Sequence, residues 1–215
     1  MTGTDARQHS LAAERNRQPI LEVMQRWLPS RGRALEVASG TGQHGAHFAA
    51  GLSGWTWQPT ERDATLLRSI AAWRAAGAPS NLLPPLALDV MASPWPIPGR
   101  VDAIFCANML HIAPWAACVA LMQGAGRHLK AGGALVVYGP FIIDGVDTAA
   151  SNLAFDADLR ARDASWGLRR LHEVEGIAAK AGLSLLEHAS MPANNSMLLF
   201  TRAQPVVKPA PPRGG

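Results

Sequence analysis

Cysteine is scarce: two residues in 215, Cys106 and Cys118, both in apolar surroundings. That is the usage expected where thiols stay reduced, and a core of this size needs no disulfide staples. Long hydrophobic runs are missing as well. The most apolar region, residues 101–122, is broken by Asp102, Asn108, His111 and Pro114, so no uninterrupted span of about 20 apolar residues is available to cross a bilayer. The opening MTGTDARQHS lacks the apolar stretch of a secretory signal, which makes a cytoplasmic setting the expectation.

Charge of either sign is thin, at 17% of residues, and the net +4 sits mostly at the ends. Residues 203–215 supply Lys208 and Arg213 and residues 1–17 one net positive charge, leaving +1 for residues 18–202. No cluster of Lys and Arg with interleaved aromatics appears in the body, so a nucleic-acid partner is disfavoured. A metal site is not expected either. His44 and His47 share a segment, but no H-E-x-x-H and no partner cysteine accompanies them. No internal repeat and no second domain is visible, and 48% hydrophobic residues are enough for one globular core.

What is present is an alternation. Ile20, Leu21, Met24 and Trp27 fall at helical spacing behind Pro19. Residues 33–38 (RALEVA) read as a buried strand running into Ser39-Gly40-Thr41-Gly42 and a helix over 43–50. A second strand over 55–59 precedes a helix striped by Leu66, Leu67, Ile70 and Trp73; a third strand over 86–88 ends at Asp89; a fourth spans 101–107. Pro114 opens a helix reaching Lys130, Gly132-Gly133 turns the chain into a fifth strand over 134–138, and residues 168–181 are helical. Two last strands, 183–188 and 196–201, are joined by the short Met191-Pro-Ala-Asn-Asn195, which permits only an antiparallel pair. The fold expected is α/β and Rossmann-like: a seven-stranded, mostly parallel sheet with helices on both faces and a reversed C-terminal strand. The chain divides into an N-terminal arm (1–14), a single domain (15–202) and a disordered Pro/Gly-rich tail (203–215).

Gly40-Thr-Gly42-Gln-His-Gly45 matches G-x-G-x-x-G between strand and helix, where glycines let the backbone turn tightly against a ligand and the helix start offers free N–H groups. An NAD or FAD site uses the same loop. Three acids sharpen the reading, since Glu36, Glu61 and Asp89 each fall at the carboxyl end of an expected strand, the edge at which open α/β sheets bind ligands. Glu61, 19 residues after Gly42, suits ribose hydroxyls. Glu36, just before the loop, would repel a pyrophosphate but attract a sulfonium or ammonium group.

The chain thus resembles class I S-adenosylmethionine-dependent methyltransferases over residues 15–202. More narrowly, Glu14-Arg-Asn-Arg-Gln-Pro-Ile20, Glu36-Val-Ala-Ser-Gly-Thr-Gly42, Phe105-Cys-Ala-Asn-Met-Leu-His-Ile112, Tyr138-Gly-Pro-Phe141 and Pro192-Ala-Asn-Asn195 resemble the uncharacterised methyltransferase-like family called domain of unknown function 938. The resemblance implies S-adenosyl-L-methionine as cofactor and a cofactor site of Glu36, Ala38, Ser39, Gly40, Gly42, Glu61, Asp89, Val90 and Asn108, with Glu36 and the glycine loop at the methionine portion, Glu61 at the ribose and Asp89 at the adenine. Ala38 stands where the wider superfamily usually has the first glycine of its loop, and its methyl group narrows the approach there.

Methyl transfer from a sulfonium is an in-line displacement in which positioning supplies much of the acceleration. An oxygen or nitrogen acceptor profits from a base, and Asn108, His111 and Tyr138, near the ends of the fourth and fifth strands, are the catalytic candidates. His111 also reads as a histidine satisfied at a helix start, and Tyr138 as a core tyrosine. Asn194 and Asn195 read more readily as turn residues than as a pocket rim. Residues 140–166 form either a substrate lid or a surface helix built on Leu153, Asp156 and Leu159. No N-P-P-Y or D-P-P-Y follows the fourth strand and no Pro-Cys nucleophile is present, which disfavours nucleic-acid base methylation; Cys106 is a small core residue. The expectation is an enzyme transferring a methyl group to a small-molecule acceptor whose reacting atom stays open. A non-catalytic S-adenosylmethionine-binding module and an NAD-dependent oxidoreductase are the alternatives.

Overall fold

In the computed structural model, residues 5–203 are described. The expected disordered tail therefore lies, from residue 204 onward, outside the described residues, as do the first four residues of the arm.

The first helix, α1 (Leu11–Trp27), starts well before the position that apolar spacing suggests and runs through Pro19. Ser10 caps it by accepting from the Ala13 N–H. Its first half is polar and so carries no apolar stripe; its inward contacts are hydrogen bonds to the helix behind the glycine loop. There follow β1 (Gly32–Val37), α2 (Gln43–Gly51), β2 (Trp55–Glu61), α3 (Ala64–Ala75), β3 (Leu86–Ala87), β4 (Val101–Ala107), α4 (Trp115–His128) and β5 (Leu129–Gly139). The chain continues with β6 (Phe141–Ile142), α5 (Ala150–Arg162), β7 (Arg169–Arg170), α6 (Leu171–Lys180), β8 (Leu183–Met191), a single 3-10 turn over Pro192–Asn194 and β9 (Asn195–Arg202).

The main sheet has seven strands in the order β3-β2-β1-β4-β5-β9-β8. β9 is antiparallel to both of its neighbours and every other pairing is parallel. The expected fold is the observed one. Successive residues of a strand face opposite sides, and the core divides accordingly: Leu35, Val37, Ile104 and Cys106 pack with Leu121, Met122 and Val174 of α4 and α6, while Ala34, Phe105 and Val136 pack with Ile20, Met24 and Phe48 of α1 and α2.

Boundaries moved where tertiary pairing outweighs local pattern. β5 begins five residues before Ala134 because Leu129 pairs with Val101, and the Lys130–Gly133 segment is carried as a bulge. α4 accordingly ends at His128 and not at Lys130. The start of the expected 168–181 helix becomes β7, which pairs with β6. The long connection holds α5, yet Leu153 is exposed there, and Asn152 and Leu159 are the residues that turn inward.

Candidate functional site

From β1 the chain steps one way to β2 and β3, then returns to place β4 on the other side of β1. That reversal opens a crevice beyond the carboxyl ends of β1 and β4, the place where ligands settle in open α/β sheets. The loop after β1 fills one side of it. Ala38, Gly40 and Gly42 all take left-handed backbone angles (φ 56°, 55° and 91°). Gly42 is required by packing too, because a Cβ there would lie 2.9 Å from the Ile70 Cα, whereas at Gly40 nothing lies within 4 Å. Backbone N–H donors fix the loop: Ser39 N–H donates to Thr60 O (2.9 Å), Thr60 N–H to Ser39 Oγ (3.1 Å) and Gly40 N–H to Glu61 Oε2 (3.0 Å). The other Glu61 oxygen accepts from the Arg62 N–H at 2.8 Å, so one carboxylate joins the end of β2 to the glycine loop.

A cleft of about 680 Å³ occupies the crevice. Of the expected cofactor residues, Ala38, Ser39, Gly40, Glu61, Asp89, Val90 and Asn108 line it. Asp89 is exposed, with one oxygen accepting from the Met91 N–H at 2.8 Å; the other is open to a ligand. Two expected residues are not in the lining. Gly42 lies behind the loop against α3. Glu36, 1% exposed, is on the sheet face covered by α2, because strand alternation turns it away from the crevice. Its Oε2 accepts from the Trp57 indole N–H at 2.9 Å, and α2 passes so close that a Cβ at Gly45 would lie 2.8 Å from that oxygen. Burial pushes its carboxyl up to about 7, opposed by the hydrogen bonds from Trp57 and Ser39 and assisted by the charge of Glu61.

Toward β4 and β5, Asn108 follows the end of β4 in the left-handed region (φ 59°), which suits asparagine, and its N–H donates to Tyr138 O at 2.8 Å. His111 is 5% exposed and stands outside the cleft lining, its ring edge-on to Phe155 with centroids 5.5 Å apart. A Cβ built on Gly139 would lie 3.3 Å from His111 Nδ1 and 3.8 Å from Asn108 Oδ1, so the two side chains meet at the end of β5. Burial, with the Arg169 charge, pushes His111 down to about 4; the imidazole is neutral. Tyr138 faces the opposite side of the sheet among α1 and α2 residues. Burial raises its hydroxyl while Asn16 opposes that shift. The three catalytic candidates are therefore not one cluster: Asn108 and His111 converge, and Tyr138 does not join them.

The rest of this side is held by side chains. Asn152 Nδ2 donates to Asn194 O (2.9 Å) and Asn194 Nδ2 to Ser151 Oγ (3.1 Å), tying the start of α5 to the turn before β9. Asn195 folds back on Pro192 O and Ala193 O, a turn role. Arg169, 9% exposed, donates to Leu110 O (2.9 Å), Ser165 O (3.0 Å) and Ala113 O, and Gly167 N–H donates to His111 O (3.0 Å). This staple brings Asp163 and Trp166 into the cleft wall. Ser10, Ala13 and His44 also line the cleft and had no assigned role in the sequence. The signal was there: Ser10 is a capping residue and His44 is the last x of G-x-G-x-x-G. Among the described residues no group of three or more His, Cys, Asp or Glu could hold a metal ion, and no helix is long and apolar enough to cross a membrane.

The family described as protein of unknown function DUF938 matches residues 7–202. Among solved structures, human N-acetylserotonin methyltransferase in complex with SAM superposes with a TM-score of 0.74 at 12% identity, covering 90% of this chain and 53% of that one. An O-methyltransferase family 2 protein from Planctomyces limnophilus DSM 3776, in complex with apigenin, gives 0.74 at 19% identity over 90% and 60%. An O-methyltransferase family protein from Burkholderia thailandensis gives 0.68 at 19% over 90% and 58%. The chain thus spans little more than half the length of these structures, and at such identities the likeness is one of fold.

Proposed function

We propose that this chain, which belongs to the DUF938 family, binds S-adenosylmethionine in the cleft at the β1/β4 switch point and transfers its methyl group to a small-molecule acceptor. The observation that carries the reading is the convergence, on one crevice, of a left-handed glycine loop, the Glu61 carboxylate and Asp89. Glu61 and Asp89 are hydrogen-bond acceptors suited to ribose hydroxyls and an adenine amine, and the backbone of Ala38–Gly40 leaves room for a thioether-linked chain. Acidic groups outnumber basic ones in the lining, with Glu61, Asp89 and Asp163 against Arg62, which favours a cationic ligand over the pyrophosphate of NAD.

Bound there, the cofactor's sulfonium supplies an electrophilic methyl group. His111 is neutral, and among the described residues its ring nitrogens make no hydrogen bond with protein, so it is fitted to take a proton from an acceptor hydroxyl or amine as the methyl group arrives. Asn108, 3.8 Å from the Gly139 Cβ position on the same side, orients that acceptor. Tyr138, packed in the core on the other face of the sheet, takes no part. Relatives in fold that are O-methyltransferases, one of them with apigenin bound, support a small acceptor of this kind. One observation favours the second reading, a binding module without turnover: His111 is shut under Phe155 and outside the cleft wall.

Calorimetric titration with S-adenosylmethionine, S-adenosylhomocysteine and NAD tests the cofactor. Micromolar binding of the two sulfur nucleotides and none of NAD is expected; binding of NAD alone, or of nothing, rejects the proposal. Transfer of labelled methyl to members of a hydroxylated aromatic library then separates an enzyme from a binding module.

A further inference from the structure

His44 sits in the first turn of α2, two residues beyond Gly42. It lines the cleft and yet is only 8% exposed. Its Nε2 lies 2.7 Å from Asn16 Oδ1, across from α1. An amide oxygen has no proton to give, so the imidazole is the donor in this contact. Nε2 therefore carries the proton and Nδ1 the lone pair. Among the described residues Nδ1 has no hydrogen-bond partner in the protein. The Asn16 contact sets which way the ring faces, and the ring plane is held by Phe48, stacked with centroids 5.2 Å apart and 7° between planes, and by Phe105 edge-on at 6.1 Å. Burial, helped by His47 and Arg17, pushes the imidazole down to about 4, so it stays neutral and attracts a donor instead of repelling a cation.

The wall around His44 is built rather than incidental. Ser10 and Ala13 of the α1 start line the same cleft. Gln43 accepts from the Ser10 N–H and donates to Glu14 Oε2 (3.2 Å), and Gln8 N–H donates to Ser69 Oγ (2.8 Å), which itself donates to Thr41 O (2.7 Å). These bonds pin the N-terminal segment onto the glycine loop. The order β3-β2-β1 sets Asp89, Glu61 and the glycine loop in line, and His44 lines the same cleft two residues beyond that loop, so a nucleoside held by the two acids extends its amino-acid portion over the loop toward the imidazole.

Resting on the cofactor reading above, we propose that His44 Nδ1 is the hydrogen-bond acceptor for the α-ammonium of the cofactor's methionine portion, and that Asn16 is the positioning residue that fixes its tautomer. The test is calorimetric titration of the full chain with S-adenosylhomocysteine, which carries the ammonium, and with methylthioadenosine, which lacks the whole amino-acid portion. His44→Phe keeps the stacked ring and is expected to weaken S-adenosylhomocysteine about tenfold, the loss of one charge-assisted hydrogen bond, while methylthioadenosine binding is unchanged and shows that the variant is folded. Asn16→Ala, at a half-buried position, is expected to lose about threefold with the same selectivity, as a tautomer set less firmly would. An equal loss for both ligands, or no loss for either, overturns the assignment while leaving the cofactor reading intact. Failure of the wild type to bind either ligand overturns the cofactor reading and this assignment with it.

Discussion

The two halves of the sheet's carboxyl edge are held by different means. Over β1, β2 and β4 backbone N–H groups do the holding: Ser39 donates to Thr60 O, Gly40 to the Glu61 carboxylate and Asn108 to Tyr138 O, and each bond joins neighbouring strands. Over β5 and β9 the holding is done by side chains reaching across long stretches of sequence, with Asn152 on Asn194 and Arg169 on Leu110 and Ala113. A ligand site held by backbone donors is stiff and, apart from the Glu61 anchor, tolerant of side-chain change, while one latched by side chains can be re-tuned or opened by single substitutions. The half proposed to hold the cofactor belongs to the first kind and the half proposed to hold the acceptor to the second.

The buried Glu36 is the exposed weakness of the stiff half. Its folded value, raised from 4.5 to about 7 by burial, means that the folded state holds a proton which the unfolded chain gives up. The stabilising contribution is full below about 4.5 and is lost as pH rises through about 7. His44 and His111, lowered from 6.5 to about 4, work the other way: their contribution is present above about 6.5 and is lost as pH falls toward about 4. Comparing wild type with Glu36→Gln isolates the carboxyl. In urea unfolding the wild type should lose ground to the variant between about pH 4.5 and 7, by on the order of 3 kcal/mol in total, with a constant difference above that range. A difference independent of pH would mean that the carboxyl is ionised within the fold.

Glu61→Ala comes next in size. It removes a charged acceptor from the cleft and the anchor of the Gly40 N–H, so cofactor binding should weaken by about 1–3 kcal/mol. An unchanged calorimetric affinity would show that the backbone alone defines this half. Asn152→Ala probes the other half and should cost about 1 kcal/mol, one side-chain hydrogen bond to a carbonyl. Faster hydrogen exchange across Ala150–Arg162 is expected, with S-adenosylhomocysteine affinity unaltered. If affinity falls as well, the two halves are coupled and the contrast between them fails.

The same contrast decides what the sequence could reveal. Strand order, the reversed β9, the glycine loop and two of its acids follow from patterns spanning a few residues, and they stand where those patterns put them. Glu36 was assigned to the crevice by its place at a strand end, but the face it points to depends on α2 crossing over it. Tyr138 was set beside Asn108 for the same reason, and strand alternation turns it to the other face. Apolar spacing starts α1 too late because residues 11–18 are held as helix by hydrogen bonds to Gln43, His44 and His47 instead of by an apolar stripe. The Arg169 staple was invisible, since nothing local links an arginine to carbonyls more than fifty residues away.

Ala38 offers the finest cut between backbone and side chain within the stiff half. Its φ of 56° places an L-residue in the left-handed region, at a cost of about 1–2 kcal/mol that glycine does not bear. Ala38→Gly removes that strain, but it also gives the unfolded chain more freedom, worth about 0.5–1 kcal/mol, and gives up the methyl contact with the core beneath it. The balance should be a gain below about 1 kcal/mol in urea unfolding, the smallest of these effects. A second consequence separates strain from packing, because Ala38 lines the cleft and, on the proposed cofactor reading, loss of its methyl group widens the floor under the methionine portion. S-adenosylhomocysteine should then bind more tightly and methylthioadenosine as before. A stability loss with both affinities unchanged would mean that the methyl group is held for its contact with the core, and that the strained angle is tolerated on that account alone.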